Sequence, residues 1–457
     1  MIAPRGLDLS EPRLLHLLGI GGTGMGSLAR LLRDAGHTVT GADLRESEGT
    51  ASLRFDGFLI STGDESDVIP TGTEAVIHSA ALPRRSPALR LARSLELPVL
   101  KYAQALARFG ATRRMCAVAG THGKTTTTAL LAYALREAGA DPSFVLGGVA
   151  PQLGGGAGLG RGDLFVAEAC EYDRSFLHFQ PEAAIVTNVE ADHLDYYRDL
   201  VEIVAAFRSF VTLVGDLLVL HDSLYETLGR AGGVRARVRT YGFSHGAQVR
   251  LEPLGRKDGL TEFRALNRKF RLRLPGRHNL LNAGAVVTLA HELGADMDAI
   301  GDALEEFSGV GRRLQVVGRA RGVAVIDDYA HHPTEVAAGL QALREEYSPR
   351  RLWCVFQPHQ YSRTKRFLSE FAHVLRGADR VVIPDIFAAR DGDTASWRVS
   401  SSDLVREVCS LGGDAVHIPD FSSIVDFMSA QVRAGDVVVT MGAGDIGDVA
   451  GRLAQAL

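Results

Sequence analysis

The sequence predicts an α/β protein of three domains, each built on a largely parallel sheet. Two observations predict this fold class. Continuous apolar runs alternate along the chain with stretches of helical spacing, which is typical of parallel strands covered by helices. Glycines or polar residues directly follow most of these runs, as they do at the carboxyl edge of an open α/β sheet.

Length, composition and charge narrow the class of protein. A chain of 457 residues is too long for one core, and we expect domains at residues 1–110, 111–318 and 319–457. With 46% hydrophobic and 23% charged residues, the composition is that of an ordinary globular protein. The net charge of −4 gives no electrostatic case for binding nucleic acid.

Cysteine usage and hydropathy indicate a cytoplasmic protein. The cysteines have no paired spacing, which fits a reducing compartment and argues against a zinc site. No apolar run approaches the roughly 18 residues of a membrane-spanning helix. The N-terminus lacks a basic region followed by an apolar one. We therefore expect neither a membrane span nor a signal peptide.

The apolar run 14–20 is the first predicted strand, and a glycine-rich turn follows it. Gly21, Gly22 and Gly24 precede a helical pattern, and a second strand ends in Asp43. This arrangement is similar to the dinucleotide-binding fingerprint, in which glycines form the turn and an acid binds a ribose hydroxyl. The third glycine of that pattern is displaced, so the turn predicts a pyrophosphate at a helix N-terminus without specifying the nucleotide.

Further strands at 58–61 and 75–79 complete a Rossmann-like N-terminal domain. They alternate with helical stretches, so the sheet is expected to be parallel. Residues 101–108 are predicted to form its last helix. Residues 110–112 are predicted to form the linker to the central domain.

The segment 118–128, VAGTHGKTTTT, is the strongest signal in the chain. It joins an apolar strand to a helical pattern, and Gly120 and Gly123 let the backbone approach an anion closely. Lys124 adds a charge for the outer phosphates of a nucleotide, and the Thr125 hydroxyl is placed to bind Mg²⁺. The alternative is a glycine turn with a solvated lysine. Because only five of the 50 basic residues are lysines, we favour a phosphate loop in a P-loop ATPase-like domain.

Acids follow the next strand of the central domain. After residues 147–162, which contain eight glycines and which we interpret as a mobile surface loop, an apolar strand ends in Glu168. Glu171 and Asp173 come just beyond it. An acid at the end of a strand beside the phosphate-loop strand is where the magnesium ion of a nucleotide needs an oxygen ligand. We expect Glu168 to be that ligand.

Three polar stretches each allow two interpretations. His193 follows a strand at 183–187 and could bind magnesium or orient a residue that does. Asn279 could cap a helix or contact a nucleotide base. Arg312 and Arg313 could clamp a γ-phosphate or lie in a solvated linker.

Four apolar strands near the C-terminus predict a second Rossmann-like domain. Polar, cationic or glycine-bearing segments follow the strands at 322–326, 352–356, 381–384 and 437–440. Pro333 is expected to begin a helix, where its missing N–H costs nothing. Because the ends of parallel strands meet at one edge of a sheet, these segments predict a binding rim.

In their order along nearly the whole chain, these segments resemble the Mur ligases of peptidoglycan synthesis, and the alanine-adding branch most of all. Each segment alone is a weak signal, whereas nine in the family's order form a specific set. The nine are GIGGTGM (19–25), residues 120–126, EACEYDRSFL (168–177), TNVEADHLD (187–195), GRHNLLN (276–282), Arg312-Arg313, DDYAHHPTE (327–335), QPHQYSRT (357–364) and GAGDI (442–446).

The resemblance implies a ligase that uses ATP and Mg²⁺ to join L-alanine to the lactyl carboxylate of UDP-N-acetylmuramate through an acyl phosphate. It implies no nucleic acid and no membrane as partner, and a monomer or weak homodimer. The implied catalytic residues are Lys124, Glu168, His193 and Arg313, with Thr125, Glu168 and His193 around the metal.

The resemblance also implies three groups of binding residues. ATP would be bound by Gly120, Thr121, His122, Gly123, Lys124, Thr125, Thr126, Asn279 at adenine, Arg313 at the γ-phosphate and Asp328 at the ribose. The sugar nucleotide would be bound by Gly21, Gly22, Thr23, Gly24, Met25, Asp43 and Ser79. The amino acid would be bound by His331, His359, Tyr361, Arg363 and Arg390.

The sequence departs from the wider family at two positions. Most members carry a carbamylated lysine shortly after the histidine that matches His193, but this chain has Phe207-Arg208 there and no lysine between Lys124 and Lys257. A carbamate bridge between two magnesium ions is therefore excluded. Asp64 stands where the family would have a histidine, which leaves the uracil contacts unspecified.

Three other functions stay open at the level of sequence. One is a ligase that attaches a recycled tripeptide to the same nucleotide. The second is a nicotinamide oxidoreductase, which depends on the first glycine turn alone. The third is a non-catalytic regulator that responds to ATP.

Overall fold

Five parallel strands form the first sheet of the structure, a computed structural model that describes residues 7–83, 85–389, 391 and 394–457. The strand order is β3-β2-β1-β4-β5, as expected for a Rossmann-like sheet. The strands are β1 (Leu14–Leu18), β2 (Thr38–Asp43), β3 (Leu59–Thr62), β4 (Ala75–His78) and β5 (Val99–Lys101). The helices are α1 (Thr23–Asp34), α2 (Glu48–Phe55), α3 (Pro87–Ser94) and α4 (Tyr102–Gly110). The sequence prediction missed the short strand β5.

The second sheet places the phosphate-loop strand near its centre. Its eight strands follow the order β13-β12-β11-β10-β6-β9-β7-β8. They are β6 (Arg114–Ala119), β7 (Ser143–Ala150), β8 (Gly155–Gly158), β9 (Leu164–Glu168), β10 (Ala183–Val186), β11 (Leu217–His221), β12 (Arg237–Gly242) and β13 (Val249–Arg250). Its helices are α5 (Lys124–Glu137), α6 (Leu200–Val211), α7 (Arg277–Glu292) and α8 (Met297–Glu306). Strand β6 lies between β9 and β10, so the acids and amides that follow those strands flank the phosphate loop.

The glycine-rich stretch 147–162 includes the end of β7 and all of β8, so its interpretation as a surface loop was wrong. Strands β7 and β8 form an antiparallel pair at the edge of the second sheet. Helix α1 packs against both strands. A glycine is needed at position 156 because α1 and β7 come close to it: a Cβ atom there would lie 2.4 Å from Ser27 Oγ and 2.6 Å from the carbonyl oxygen of Gly148.

Three further strands form a small sheet in the order β14-β15-β16, which the sequence analysis did not predict. They are β14 (Glu252–Lys257), β15 (Leu260–Ala265) and β16 (Arg268–Leu272). By contacts the chain divides into two compact units. One comprises residues 1–255, 262–272 and 281–308, and the other comprises residues 256–261, 273–280 and 309–457. The three-domain division at 110 and 318 stays a prediction.

The last sheet has six strands in the order β17-β18-β22-β19-β20-β21, with only β17 antiparallel. The strands are β17 (Gln315–Ala320), β18 (Val323–Asp328), β19 (Leu352–Phe356), β20 (Arg380–Ile383), β21 (Ala415–His417) and β22 (Val437–Met441). The helices are α9 (Pro333–Tyr347), α10 (Tyr361–Arg366), α11 (Leu368–Leu375), α12 (Ser401–Ser410), α13 (Phe421–Gln431) and α14 (Gly447–Ala456). Pro333 begins α9 as predicted, and all four predicted strands end at one edge. In the part of the chain that the structure describes, no helix is long and apolar enough to cross a membrane.

Replacing Gly156 with alanine should destabilise the protein, because the added methyl group must push β8 away from α1. We expect a loss of about 1–3 kcal/mol in the free energy of unfolding, measured by urea denaturation. Gly232→Ala is the matched control, since nothing lies within 4 Å of the Cβ position there. Equal stability of the two variants would contradict this explanation of why position 156 in β8 is glycine.

Candidate active site

The phosphate loop between β6 and α5 has a backbone that only glycine fits at two positions. Gly120 has φ +141°, and a Cβ atom there would lie 2.0 Å from Thr187 Oγ1. Gly123 has φ +82°, and its Cβ would lie 2.6 Å from Asn282 Oδ1. Both φ values lie in the region that favours glycine, and both positions are crowded. The free N–H groups at the start of α5 are therefore presented by a tightly held turn.

The loop is held by the segment that follows β10. The His122 N–H donates to Asn188 Oδ1 at 2.8 Å, and the Asn188 side-chain amide donates to the His122 carbonyl at 3.1 Å. The Thr187 hydroxyl donates to the same carbonyl at 2.6 Å. The Thr121 N–H donates to the Asn188 carbonyl at 3.0 Å, and Thr121 Oγ1 accepts from the Glu190 N–H at 2.8 Å. These bonds fix the loop without any ligand.

Lys124 is the first residue of α5, and its side chain lies inside the loop. Its ammonium donates to the carbonyls of Gly120 at 2.6 Å and Thr121 at 2.9 Å. The two carboxylate oxygens of Glu171 lie 3.2 and 3.0 Å from it. Burial by itself lowers the pKa of Lys124, but the neighbouring acidic groups, with Glu171 first among them and Glu168 contributing, together outweigh burial and raise this pKa above its usual value. Lys124 is therefore permanently positively charged, and this charge lies at the N-terminus of α5.

Thr125 and Glu168 are brought together as a pair of oxygen donors. The Thr125 hydroxyl donates to Glu168 Oε2 at 2.8 Å, and the Gly147 N–H donates to the same oxygen at 2.9 Å. Hydroxyl and carboxylate oxygens are the ligands that Mg²⁺ prefers. This donor set fits a magnesium ion, with β7 fixing the carboxylate from the other side.

His193 is placed against Glu171 and Tyr172. His193 Nε2 lies 3.7 Å from Glu171 Oε1, and its ring centroid lies 5.2 Å from that of Tyr172. Its backbone has φ +52°, an uncommon conformation for a residue with a side chain. Its Nδ1 is buried without a hydrogen-bond partner among the described residues. Its role at the metal stays a prediction.

The family's carbamylated-lysine position lies within α6 in this chain. Phe207 is fully buried there, and its ring packs edge-on against Phe176 at a centroid distance of 5.1 Å. The Arg208 guanidinium donates to the carbonyl of Thr227 at 3.1 Å. An apolar contact and a structural hydrogen bond thus occupy these two positions.

The first glycine turn leaves the N-terminus of α1 without a side-chain cap. Gly22 is the N-cap residue, and Thr23, Gly24 and Met25 form the first turn of the helix. The Gly21 N–H donates to Asp43 Oδ2 at 2.9 Å, so this acid is bonded to the turn itself. Ser79 follows β4 at the same edge, and its Cβ lies 3.1 Å from the Cβ position of Gly19. An uncapped helix N-terminus suits a pyrophosphate.

In the C-terminal unit, the two arginines have different surroundings. Arg312 donates to Asp327 Oδ2 at 3.1 Å and to the Gly442 carbonyl at 2.8 Å, so it ties two strand ends together. The Arg313 guanidinium lies over the Tyr329 ring, 4.8 Å from its centroid. Its Nη1 lies 4.0 Å from Glu335 Oε1. These contacts argue against a solvated linker, and Arg313 is the better placed of the two for an anion.

Asp328 is buried at the end of β18. Burial raises the pKa of Asp328 to about 7, against the lowering effect of Arg313. Its Oδ1 accepts from the Ala330 N–H at 3.3 Å.

Asn279 does not cap α7, so that interpretation was wrong. The helix begins at Arg277, and Asn279 is its third residue. Its side-chain amide donates to the carbonyl of Pro275 at 2.8 Å. Gly276, with φ +92°, makes the turn that the N-cap was expected to make. The adenine contact stays a prediction.

The predicted amino-acid rim brings three of its side chains together. The His359 ring stacks on Phe387 at 5.6 Å and meets the His331 ring edge-on at 5.8 Å. Arg363 Nη1 lies 3.4 Å from His359 Nδ1. Tyr361 is half-buried at the start of α10. Arg390 lies outside the described residues, as does the side chain of Asp64.

Sequence analysis assigned no partner to Glu171, and it did not predict that the Thr187–Asn188 segment would hold the phosphate loop. The acids that follow one another at the end of β9 indicated that Glu171 could belong to the site. Which of these acids pairs with Lys124 depends on the backbone conformation of the turn, which the sequence pattern does not give. The hydrogen bond that the Gln357 side-chain amide donates to Asp445 Oδ1 at 2.8 Å was likewise missed.

The chain belongs to the Mur ligase family. Its residues 14–114 match the model of the Mur ligase family catalytic domain. Residues 118–290 match the Mur ligase middle domain, and residues 312–444 match the Mur ligase glutamate ligase domain. Membership in this family argues against a nicotinamide oxidoreductase. That alternative was supported only by the glycine-rich turn after β1.

Three ligases are similar to the chain over nearly its whole length. The UDP-N-acetylmuramate–L-alanine ligase of Agathobacter rectalis is 38% identical over 454 residues, which cover 97% of this chain and 98% of that protein. The crystal structure of the UDP-N-acetylmuramate–alanine ligase of Thermotoga maritima superposes with a TM-score of 0.82 at 29% identity, covering 96% of this chain and 98% of that one. The murein peptide ligase of Psychrobacter arcticus gives 0.72 at 26% identity, covering 97% and 98%.

Replacing Asp328 with asparagine should stabilise the protein at neutral and alkaline pH. The folded-state pKa lies above the unfolded value, so the wild type loses stability as pH rises from about 4 to about 7, while the amide does not titrate. We expect the variant to be more stable by about 1–3 kcal/mol at pH 8, with no advantage near pH 4. Thermal melts across this range measure it. The exposed Asp426→Asn should show no such trend.

Proposed function

We propose that this protein is an ATP-dependent ligase that joins L-alanine to the lactyl carboxylate of UDP-N-acetylmuramate, a cytoplasmic step of peptidoglycan synthesis. One observation carries the proposal: two groups that suit a nucleotide lie together at the N-terminus of α5. One is the buried, charged Lys124. The other is the pair of oxygen atoms Thr125 Oγ1 and Glu168 Oε2, which are 2.8 Å apart. The names of the full-length relatives support the choice of substrates. The protein is proposed to be a monomer or weak homodimer.

Each predicted domain would carry one reactant. The turn at Gly21–Met25, with Asp43 and Ser79, would bind the sugar nucleotide, and residues 120–126 would bind the triphosphate of ATP. In the C-terminal unit, Asp328 would contact the ribose and Arg313 the γ-phosphate. His331, His359, Tyr361, Arg363 and Arg390 would receive the amino acid.

The chemistry requires an activated carboxylate, because a carboxylate and an amine do not condense in water. ATP with Mg²⁺ supplies the phosphoryl group that makes the acyl phosphate, from which phosphate leaves when the amine attacks. Lys124 holds positive charge where the transferring oxygens would become more negative, and the loop N–H groups add preorganised donors. Glu168 and Thr125 would hold the metal, with Gly147 keeping the carboxylate in place. The buried surroundings of Lys124 strengthen each of these electrostatic interactions.

ADP formation tests this function directly. With ATP and Mg²⁺, we expect ADP only when both UDP-N-acetylmuramate and an amino acid are present, and the highest kcat/KM with L-alanine among the amino acids. A competing murein tripeptide separates the alternative ligase, because that enzyme would turn over tripeptide in preference to L-alanine. ADP formation that needs neither acceptor would contradict both ligases.

Replacing Lys124 with alanine should lower kcat/KM by roughly 10³-fold, because a charge used at the transferring phosphoryl group is lost. Circular dichroism checks that the variant stays folded. Lys269→Ala is the matched control, since Lys269 pairs with Glu262 on an exposed surface and should leave the rate unchanged. A rate in the Lys124 variant within about twofold of the wild type would rule out the proposed phosphate loop.

Replacing Glu168 with glutamine should raise the Mg²⁺ concentration needed for half-maximal rate by about tenfold, because a neutral amide is a weaker magnesium ligand. The KM for L-alanine should not change. Asp163→Asn removes an exposed acid from the same segment and should leave the magnesium dependence as it is. An equal response of the two variants would remove Glu168 from the metal site.

A further inference from the structure

The ammonium of Lys124 uses all of its donors within the protein. A lysine ammonium has three N–H groups. One is bonded to the Gly120 carbonyl, one to the Thr121 carbonyl, and the third faces the Glu171 carboxylate. A phosphate that contacts Lys124 must therefore displace one of these acceptors.

Glu171 is the acceptor that competes by charge. Its side chain is only 3% exposed and that of Lys124 is 11% exposed, so the two charges interact with little screening by water. The two carbonyls belong to the loop itself and are neutral. An arriving phosphate therefore competes with Glu171, the one anionic partner, for the ammonium.

The turn that carries Glu171 is fixed, whereas Lys124 has a flexible side chain. The Tyr197 hydroxyl donates to the Glu171 carbonyl at 2.5 Å, and the Arg174 N–H donates to it at 2.9 Å. Asp173 and Arg174 have φ values of +54° and +53°, a conformation that only a rigid surrounding maintains. When the pair separates, Lys124 is thus the side that moves.

His193 can take over part of the contact with Glu171. Its Nε2 already lies 3.7 Å from Glu171 Oε1. A small movement of the imidazole brings this pair within hydrogen-bond distance. The buried carboxylate then keeps a partner after the ammonium has turned away.

We propose that Glu171 is a positioning residue that holds the Lys124 ammonium inside the loop and gives it up to the phosphates when a nucleotide binds. This inference rests on the proposed function. It adds that the Lys124 ammonium exchanges one anionic partner, Glu171, for another, the phosphates of the nucleotide. Glu171 lowers nucleotide affinity by competing for Lys124, and its pairing with Lys124 stabilises the loop.

Glu171→Gln tests the exchange by direct binding. The probe is the non-hydrolysable β,γ-imido analogue of ATP with Mg²⁺, titrated by calorimetry without sugar nucleotide or amino acid. We expect the variant to bind about three- to tenfold more tightly than the wild type, because the competing charge is gone. The free variant should melt at a lower temperature, so the nucleotide should raise its Tm by more than it raises that of the wild type.

Two further variants serve as controls. Asp173→Asn removes an acid from the same turn, but Asp173 contacts Lys101 and not Lys124, so nucleotide affinity should not change. In a Lys124→Ala background, Glu171→Gln should no longer tighten binding. If Glu171→Gln binds the analogue equally or less tightly than the wild type, Glu171 has only a structural role and the inference is wrong. If the wild type binds no nucleotide, the proposed function fails instead.

Lysine NMR gives a second measurement on the wild type, in case the variant does not fold. With only five lysines, protein labelled at lysine ¹³Cε gives five signals, and Lys124→Ala identifies that of Lys124. We expect this signal to move when the analogue binds, while the signal of Lys269 stays in place. An unmoved Lys124 signal at saturating analogue would overturn the exchange.

Discussion

The contact between the phosphate loop and the end of β10 is the constraint on which the rest of the site depends. Gly120 and Gly123 come so close to Thr187 and Asn282 that a methyl group has no room. The loop conformation is therefore set by packing and by its hydrogen bonds to Asn188. Because α5 begins at the end of this loop, the helix N-terminus is fixed too, and with it the starting points of Lys124 and Thr125.

The acids after β9 each acquire a different partner from this arrangement. Glu168 bonds to Thr125 and to the backbone of β7, Glu171 pairs with Lys124, and Asp173 pairs with Lys101. The left-handed backbone at Asp173 and Arg174 separates the directions in which the side chains point. One short segment thereby gives three carboxylates three different partners: a hydroxyl, the lysine of the phosphate loop, and a lysine of the first sheet.

Much of the architecture followed from the sequence, because strands buried on both faces give continuous apolar runs and glycines mark the turns between them. The parallel first sheet and the place of Glu168 beside the phosphate-loop strand were predicted in this way. Two interpretations failed for an identifiable reason. The glycines of 147–162 were assigned to chain freedom, whereas Gly156 serves the close approach of β8 to α1. Asn279 was assigned to a helix start that lies two residues earlier, because Gly276 makes the turn. The partners of individual acids depend on tertiary contacts that no local pattern contains.

The burial of Phe207 has a consequence for what the reaction needs from its surroundings. A carbamylated lysine is built from a lysine side chain and dissolved carbon dioxide, and the aromatic ring packed on Phe176 leaves neither a nitrogen nor space for that group. Magnesium would be held here by the Thr125 hydroxyl and the Glu168 carboxylate, with His193 beside them, and without a carbamate. The reaction would then not depend on bicarbonate in the medium.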